Sequence, residues 1–112
     1  MGDIVILVTN NRMGNADENL QTLLFNKYID LLIQNENLPA ALCFYTQGVK
    51  LVCEGSLALE QLRALESKGV RLIICSTCLN YFELTKQVRV GIVGGMGDIL
   101  EAQLKAGKVI TI

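Results

Sequence analysis

The chain has 112 residues, of which 51% are hydrophobic and 19% are charged, and its formal net charge is −1. This length accommodates one domain with an ordinary hydrophobic core and excludes two. The near-neutral charge, without a basic run or a row of aromatic residues, argues against nucleic acid and anionic membranes as partners. We therefore expect a single domain over residues 1–112, whose apolar surplus serves a sheet buried on both faces and a subunit interface.

The N-terminal segment lacks the pattern of a signal peptide, and no run approaches the ~18 apolar residues of a membrane-spanning helix. We therefore expect a cytoplasmic protein. In that reducing compartment, four cysteines argue against a disulfide scaffold and favour a metal-binding or catalytic use. Histidine is absent, which excludes a Ser-His-Asp triad, a Cys-His pair and a histidine-ligated zinc ion within one chain.

Apolar runs alternate with helical patterns along the chain, as is typical of a parallel sheet covered on both faces. Strands are predicted over residues 4–8, 40–45, 70–74, 88–90 and 108–112. Helices are predicted over residues 16–34, from an N-cap at Ser56 to residue 68, over residues 81–85, and from Asp98 onward. The predicted fold is α/β, with three layers and a five-stranded, mainly parallel sheet.

The helix ends carry their own signals. Asn15 and Glu18 have the spacing of a capping box, as do Asp98 and Glu101, and Gly69 occupies the position of a C′ glycine. The inward face of the first long helix is predicted to consist of Leu20, Leu24, Tyr28 and Leu31, and that of the second of Leu59, Leu62 and Leu65.

Two cysteines, Cys75 and Cys78, follow the predicted third strand directly. In open α/β sheets, ligands bind beyond the carboxyl ends of the strands, so this pair lies where such a fold carries out its chemistry. If a helix begins at Cys78 or Leu79, its free amides and dipole lower the pKa of the thiols and favour a reactive thiolate. The alternative is a pair of small buried hydrophobic residues at the end of a strand.

The remaining candidates are weaker. Lys50, after the second strand, and Arg12, after the first, either bind an anion and favour a thiolate or are ordinary exposed cations. Cys43 is assigned to the core, and Cys53 either shares the site or packs in the core. Only one CxxC half-site is present, so no metal site is predicted. The glycines over residues 94–97 either cradle an anion at a helix start or form a tight turn.

These residues together resemble the DsrE-like family of sulfur-handling α/β proteins. The similarity extends over essentially the whole chain and is greatest to the C-terminal DsrE-like domain of YedF-type selenium-metabolism proteins. Its motifs are Arg12-Met13-Gly14, Leu38-Pro39, Gly48-Val49-Lys50-Leu51, Glu54-Gly55-Ser56, Cys75-Ser76-Thr77-Cys78-Leu79-Asn80-Tyr81 and Ala106-Gly107-Lys108-Val109-Ile110. Relative to that branch, Thr46-Gln47 replaces Asn-Ser, and Ser76 replaces a glycine.

The resemblance implies a sulfur or selenium carrier with sulfurtransferase-like activity and no cofactor. Cys75 matches the cysteine that holds a persulfide, Cys78 resolves it or stabilises the thiolate, and Lys50, Gly48, Arg12 and Asn80 are counted as binding or pKa-tuning residues. The implied partners are sulfur-donor and acceptor proteins, a TusA-like protein among them, and a homo-oligomer (dimer, trimer or hexamer).

Two other functions remain open. The CxxC pair of a thiol-disulfide redox protein cycles between dithiol and disulfide. In a non-enzymatic oligomeric binding module, the thiols have no role in function.

Overall fold

The computed structural model describes residues 3–35 and 37–112. Strands and helices alternate along these residues. The strands are β1 (Ile4–Val8), β2 (Ala41–Phe44), β3 (Arg71–Cys75), β4 (Ile92–Gly94) and β5 (Lys108–Thr111). The helices are α1 (Glu18–Gln34), α2 (Leu59–Ser67), α3 (Ser76–Tyr81) and α4 (Met96–Lys105), and a 3₁₀ segment spans Thr46–Val52.

The five strands form one sheet in the order β4-β3-β2-β1-β5, and every pair of neighbours is parallel. The predicted α/β fold with a five-stranded sheet flanked by helices is therefore confirmed. Val8 lies beside Phe44, Phe44 lies beside Ile74, and Cys75 lies beside Gly94. Because the strands are parallel and in register, their carboxyl ends meet at one edge of the sheet.

The core is built around β1, β2 and β3. Ile6, Leu42 and Ile74 are at most 1% exposed, and every residue of β2 is buried. Continuous burial of a strand requires cover on both faces, which explains why these strands are apolar runs without polar alternation. Among the described residues, no helix is long and apolar enough to cross a membrane.

The predicted buried face of α1 was wrong by one residue. Leu20, Leu24 and Leu31 are exposed, and the buried residues are Gln21, Phe25 and Ile29. Gln21 is polar but tolerates burial because its side-chain amide donates a hydrogen bond to the Gly14 carbonyl oxygen. A polar residue on the buried face therefore concealed the true periodicity.

Several helix starts also differ from the prediction. The N-cap of α1 is Asp17, whose carboxylate accepts from the Asn19 amide, so the Asn15–Glu18 capping box is wrong. The second helix begins at Leu59, and the Ser56 hydroxyl oxygen accepts from the Ala58 amide in the preceding turn. The last helix begins at Met96, two residues before the predicted start at Asp98. The Asp98 carboxylate accepts a hydrogen bond from the Gly95 amide, so Asp98 caps the helix from within its first turn.

The predicted end of α2 is confirmed. Gly69 has a φ of +95°, and its amide donates to the Glu66 carbonyl oxygen at 3.0 Å, while the Val70 amide donates to the Leu65 carbonyl oxygen at 3.2 Å. This pair of hydrogen bonds is a Schellman motif, which requires a left-handed residue that glycine supplies without strain. The chain thereby reverses and enters β3.

The fourth strand lies later in the sequence than predicted. Residues 88–90 were predicted as a strand, but Val88 forms only an isolated antiparallel bridge with Cys53, and β4 is Ile92–Gly94. Two main-chain hydrogen bonds, from the Glu54 amide to Gln87 and from the Arg89 amide to Val52, hold the segment in that bridge. The second bond uses the Arg89 amide, a main-chain group that a strand over residues 88–90 would offer to the sheet.

We expect Gly48→Ala to lower the free energy of unfolding by about 1–3 kcal/mol, because a β-carbon at this buried position overlaps the Val8 carbonyl oxygen at the end of β1. The measurement is urea denaturation followed by circular dichroism. The matched control is Gly97→Ala, where a β-carbon meets nothing within 4 Å and alanine favours the helix. Equal stability of the two variants would contradict this close approach.

Candidate functional site

The cysteine pair lies where β3 ends and α3 begins. Cys75 is the last residue of β3 and the N-cap residue of α3, and Cys78 is one helical turn further on. A short helix was predicted around residues 81–85, and Cys78 or Leu79 was considered as its first residue. Both positions were wrong, because α3 begins at Ser76, directly after the strand. The Sγ atoms of the two cysteines are 3.1 Å apart, and both thiols are free.

The two thiols differ in their access to solvent. Cys75 is 1% exposed, whereas Cys78 is half-buried and lines a groove of about 430 Å³. The other residues that line this groove are Thr46, Gln47, Thr77, Tyr81 and Phe82. A reagent in this groove therefore meets the sulfur of Cys78 first, with Cys75 directly behind it.

The groove has an aromatic wall. The rings of Tyr81 and Phe82 meet edge to face with their centroids 5.4 Å apart, and Tyr81 is 82% exposed. An exposed aromatic side chain beside a reactive group is typical of a surface that contacts a partner or an apolar ligand.

The electrostatic environment of Cys78 differs from the predicted one, in which a helix start lowers the pKa of the thiol. Burial raises the pKa of Cys78, and the hydrogen bond to Cys75 raises this pKa further, while the Thr46 backbone amide lowers it. The predicted lowering of the thiol pKa is therefore wrong for Cys78. The Thr46 amide nitrogen lies 3.1 Å from the Cys78 Sγ atom, and it favours the thiolate more than the second such contact, the backbone amide of Cys78 itself.

Lys50 and Gly48 both lie in the 3₁₀ segment that follows β2. The Lys50 ammonium nitrogen is 4.6 Å from the centroid of the Phe82 ring, so Lys50 contacts the wall of the groove through a cation–π interaction. Gly48 is buried against the end of β1, and steric space explains why glycine is required there.

Arg12 and Asn80 have other partners in the structure. Arg12 forms an ion pair with Glu18 at the start of α1. The Asn80 side-chain oxygen accepts a hydrogen bond of 2.8 Å from the Thr85 hydroxyl, in the turn after α3. Of the predicted residues, the structure thus brings together Cys75 and Cys78, places Lys50 behind the Phe82 ring, and holds Arg12 and Asn80 in local contacts.

Cys43 and Cys53 are fully buried. Burial raises the pKa of Cys43 to about 11, and it also raises the pKa of Cys53, whose thiol donates to the Val49 carbonyl oxygen at 3.2 Å. Both cysteines belong to the core, as predicted for Cys43. In the part of the chain that the structure describes, no three His, Cys, Asp or Glu side chains are grouped so that they could hold a metal ion.

The glycine-rich stretch forms a tight turn before α4. The Asp98 carboxylate accepts from the Gly95 amide at 2.9 Å, so a side chain of the protein already occupies the position that an anion would take. Of the two readings of residues 94–97, the structure therefore favours the turn.

Comparison with known proteins gives the family. A model of the DsrE/DsrF-like family matches residues 3–112. The chain belongs to the DsrE/DsrF-like family. No functionally curated protein matches it.

Solved structures of similar fold come from bacteria and an archaeon. The ychN protein from E. coli is 21% identical, with a TM-score of 0.75 over 100% of both chains. Protein MTH1491 from Methanobacterium thermoautotrophicum is 20% identical, with a TM-score of 0.71 over 97% of both chains. Protein BT1422 from Bacteroides thetaiotaomicron is 18% identical, with a TM-score of 0.64, over 98% of this chain and 95% of its own. The TM-scores over nearly the whole of each chain show that the fold is shared.

Several residues of the site were missed by the sequence analysis, Thr46 and the aromatic pair above all. Thr46 is the second residue after β2, and residues that follow neighbouring parallel strands meet at one edge of the sheet, so its position relative to the cysteine pair was a usable signal. Tyr81 and Phe82 carried no such signal, because their place depends on where α3 begins.

We expect alkylation of Cys78 by iodoacetamide to have a pH midpoint above that of an ordinary thiol, because burial and Cys75 both raise its pKa. The Cys75→Ser variant removes a competing thiolate charge and keeps a hydroxyl donor, so its midpoint should fall. Peptide mapping assigns the modification, and Cys43 and Cys53 should stay unmodified while the protein is folded. An unchanged or higher midpoint in Cys75→Ser would show that Cys75 does not control Cys78.

Proposed function

We propose that this protein is a cytoplasmic carrier of sulfane sulfur, with sulfurtransferase-like activity, that holds the sulfur as a persulfide on the Cys75–Cys78 pair. The observation that carries the proposal is the pair itself: two free thiols 3.1 Å apart at the carboxyl edge of a parallel sheet, one of them open to a groove. Membership of a family associated with sulfur relay supports it.

The different burial of the two thiols suggests separate roles. The Cys78 thiolate attacks the outer sulfur of a donor persulfide, which forms a persulfide on Cys78 and releases the donor thiolate. The Cys75 thiolate then attacks that same outer sulfur, so the persulfide moves to Cys75 and Cys78 again becomes a thiolate. Neither step has a net oxidation, and the cargo ends on Cys75, the residue that is 1% exposed.

The raised pKa of Cys78 is compatible with this order. Burial keeps most Cys78 thiols protonated, so the first step depends on the smaller ionised fraction, which the hydrogen bond from the Thr46 amide favours. After transfer, burial shields the Cys75 persulfide from small thiols in solution.

The partners in this proposal are proteins. An apolar groove with an exposed Tyr81 suits a protein donor or acceptor, and a TusA-like protein is the candidate implied by resemblance to the YedF-type branch. Selenium in place of sulfur would follow the same displacement steps. A homo-oligomer is part of the proposal, with apolar surface for it on α4, where Leu100 and Leu104 are exposed.

Intact-protein mass spectrometry after incubation with a sulfane-sulfur donor tests the carrier function. We expect the reduced wild-type protein to gain one sulfur, about 32 Da, and fragmentation of the peptide that contains both cysteines should place it on Cys75. A loss of about 2 Da without a stable sulfur adduct would instead indicate a dithiol-disulfide redox protein. No change in mass under either condition would leave a binding module.

Two serine variants test the order of transfer. In Cys78→Ser, loading should slow by roughly tenfold or more, because the remaining acceptor is buried. In Cys75→Ser, the adduct should form on Cys78 and be removed by an added thiol roughly tenfold faster than from wild type, because this sulfur faces the groove. Wild-type loading of Cys78→Ser would show that donors reach Cys75 directly and would contradict the proposed order.

A further inference from the structure

Thr46, the second residue after β2, has an unusual backbone conformation. Its φ is +49°, in the left-handed region, and among the described residues the other non-glycine with positive φ is Glu83. A β-branched residue is disfavoured in this region because its side chain crowds the main chain. A conformation of this kind persists only where surrounding contacts hold it.

The Thr46 hydroxyl supplies such a contact. Its Oγ1 atom lies 2.7 Å from the Thr9 carbonyl oxygen, which follows β1, and 2.7 Å from the Tyr45 carbonyl oxygen. The bond to Thr9 joins the carboxyl ends of two neighbouring strands. The Gly48 amide, which donates to the Tyr45 carbonyl oxygen at 3.0 Å, closes the turn from the other side.

This conformation directs the Thr46 amide at the reactive cysteine. The amide nitrogen is 3.1 Å from the Cys78 Sγ atom, and the same sulfur is 3.1 Å from the Cys75 Sγ atom. An N–H group that donates to sulfur stabilises a thiolate more than a thiol, because the bond becomes charge-assisted. The Thr46 amide thus favours ionisation of Cys78, whereas burial and Cys75 oppose it.

The position of the turn also explains why a backbone amide, and not a charged side chain, donates a hydrogen bond to the Cys78 sulfur. Lys50 is directed at the Phe82 ring, whereas the Thr46 amide, a neutral donor fixed by the main chain, lies within hydrogen-bond distance of the Cys78 sulfur. Its geometry depends on the peptide between Tyr45 and Thr46, so whatever holds the Thr46 conformation also holds the hydrogen bond to sulfur.

We propose that Thr46 is a positioning residue for Cys78: its hydroxyl holds the strained turn after β2, and the turn keeps the Thr46 amide on the Cys78 sulfur so that a thiolate forms there. The inference extends the proposed function, since it names what activates the first acceptor of sulfur. It concerns thiolate formation, which can be measured with no sulfur donor present.

The test compares the pH dependence of iodoacetamide alkylation at Cys78 in wild type, Thr46→Val and Thr46→Asn. Valine keeps the branched shape and removes the hydroxyl, so we expect the midpoint to rise by about one pKa unit and the rate near pH 7.5 to fall roughly tenfold. Asparagine tolerates positive φ and carries its own hydrogen-bonding group, so it should restore most of the rate. Thr111→Val makes the same chemical change on β5 and should match wild type.

Folding is followed by circular dichroism on the same samples. If Thr46→Val does not fold, Thr46→Ala, which removes the hydroxyl with less crowding, takes its place and has the same expected result. A folded hydroxyl-free variant with the wild-type midpoint would overturn the inference, and so would an Asn variant as slow as the Val variant, because both results leave Thr46 a purely structural role.

Sulfur loading of the same variants separates the two proposals. If the wild type never gains sulfur but Thr46→Val slows alkylation and Thr46→Asn restores it, the positioning role holds and the sulfur cargo does not. If the wild type gains sulfur and Thr46→Val alkylates and loads at the wild-type rate, the carrier function holds and the positioning role is wrong.

Discussion

The in-register parallel pairing of β1, β2 and β3 is the constraint on which the site depends. This register sets Val8 beside Phe44 and Phe44 beside Ile74, so three strand ends arrive at one edge within two residues of each other. Thr9, Thr46 and Cys75 are then neighbours although they are distant in sequence. A register shift of one residue would turn each side chain of the shifted strand to the opposite face of the sheet and separate the Thr46 amide from the Cys78 sulfur.

The site contains one buried thiol, that of Cys75, and one thiol that is open to the groove, that of Cys78. Burial disfavours charge, and here it raises the pKa of Cys78 as it does for the inert Cys43. What distinguishes Cys78 from Cys43 is its contacts: an amide donor, a second thiol and an open groove. Cys43, inside β2 with the sheet on both sides, has the same functional group and none of these contacts.

Four of the five strands and the location of the cysteine pair could be predicted from sequence, because both depend on local runs of apolar residues; the fourth strand was predicted too early in the chain. The face of α1 could not, because leucines surround the helix and Gln21 occupies a buried position through a hydrogen bond to a loop carbonyl group. The start of α3 could not either, because the chain passes from strand to helix at Cys75 without a polar capping residue. Thr46 gives no sequence signal for positive φ, since threonine is a poor residue for that conformation.

The difference between the predicted and the observed start of α3 changes the chemistry that the cysteine pair can perform. With a helix start at Cys78 or Leu79, both thiols would lie near the free amides at the N-terminus of the helix. With the observed start at Ser76, Cys75 ends the strand inside the core and Cys78 lies within the first turn, directed toward the groove. The Thr46 amide, at the carboxyl end of the neighbouring strand β2, then favours the Cys78 thiolate. This amide is held in place by the Thr46 hydroxyl, which is hydrogen-bonded to the Thr9 carbonyl oxygen at the end of β1. The reactivity of the pair is thus set by how three strands terminate, more than by the CxxC motif alone.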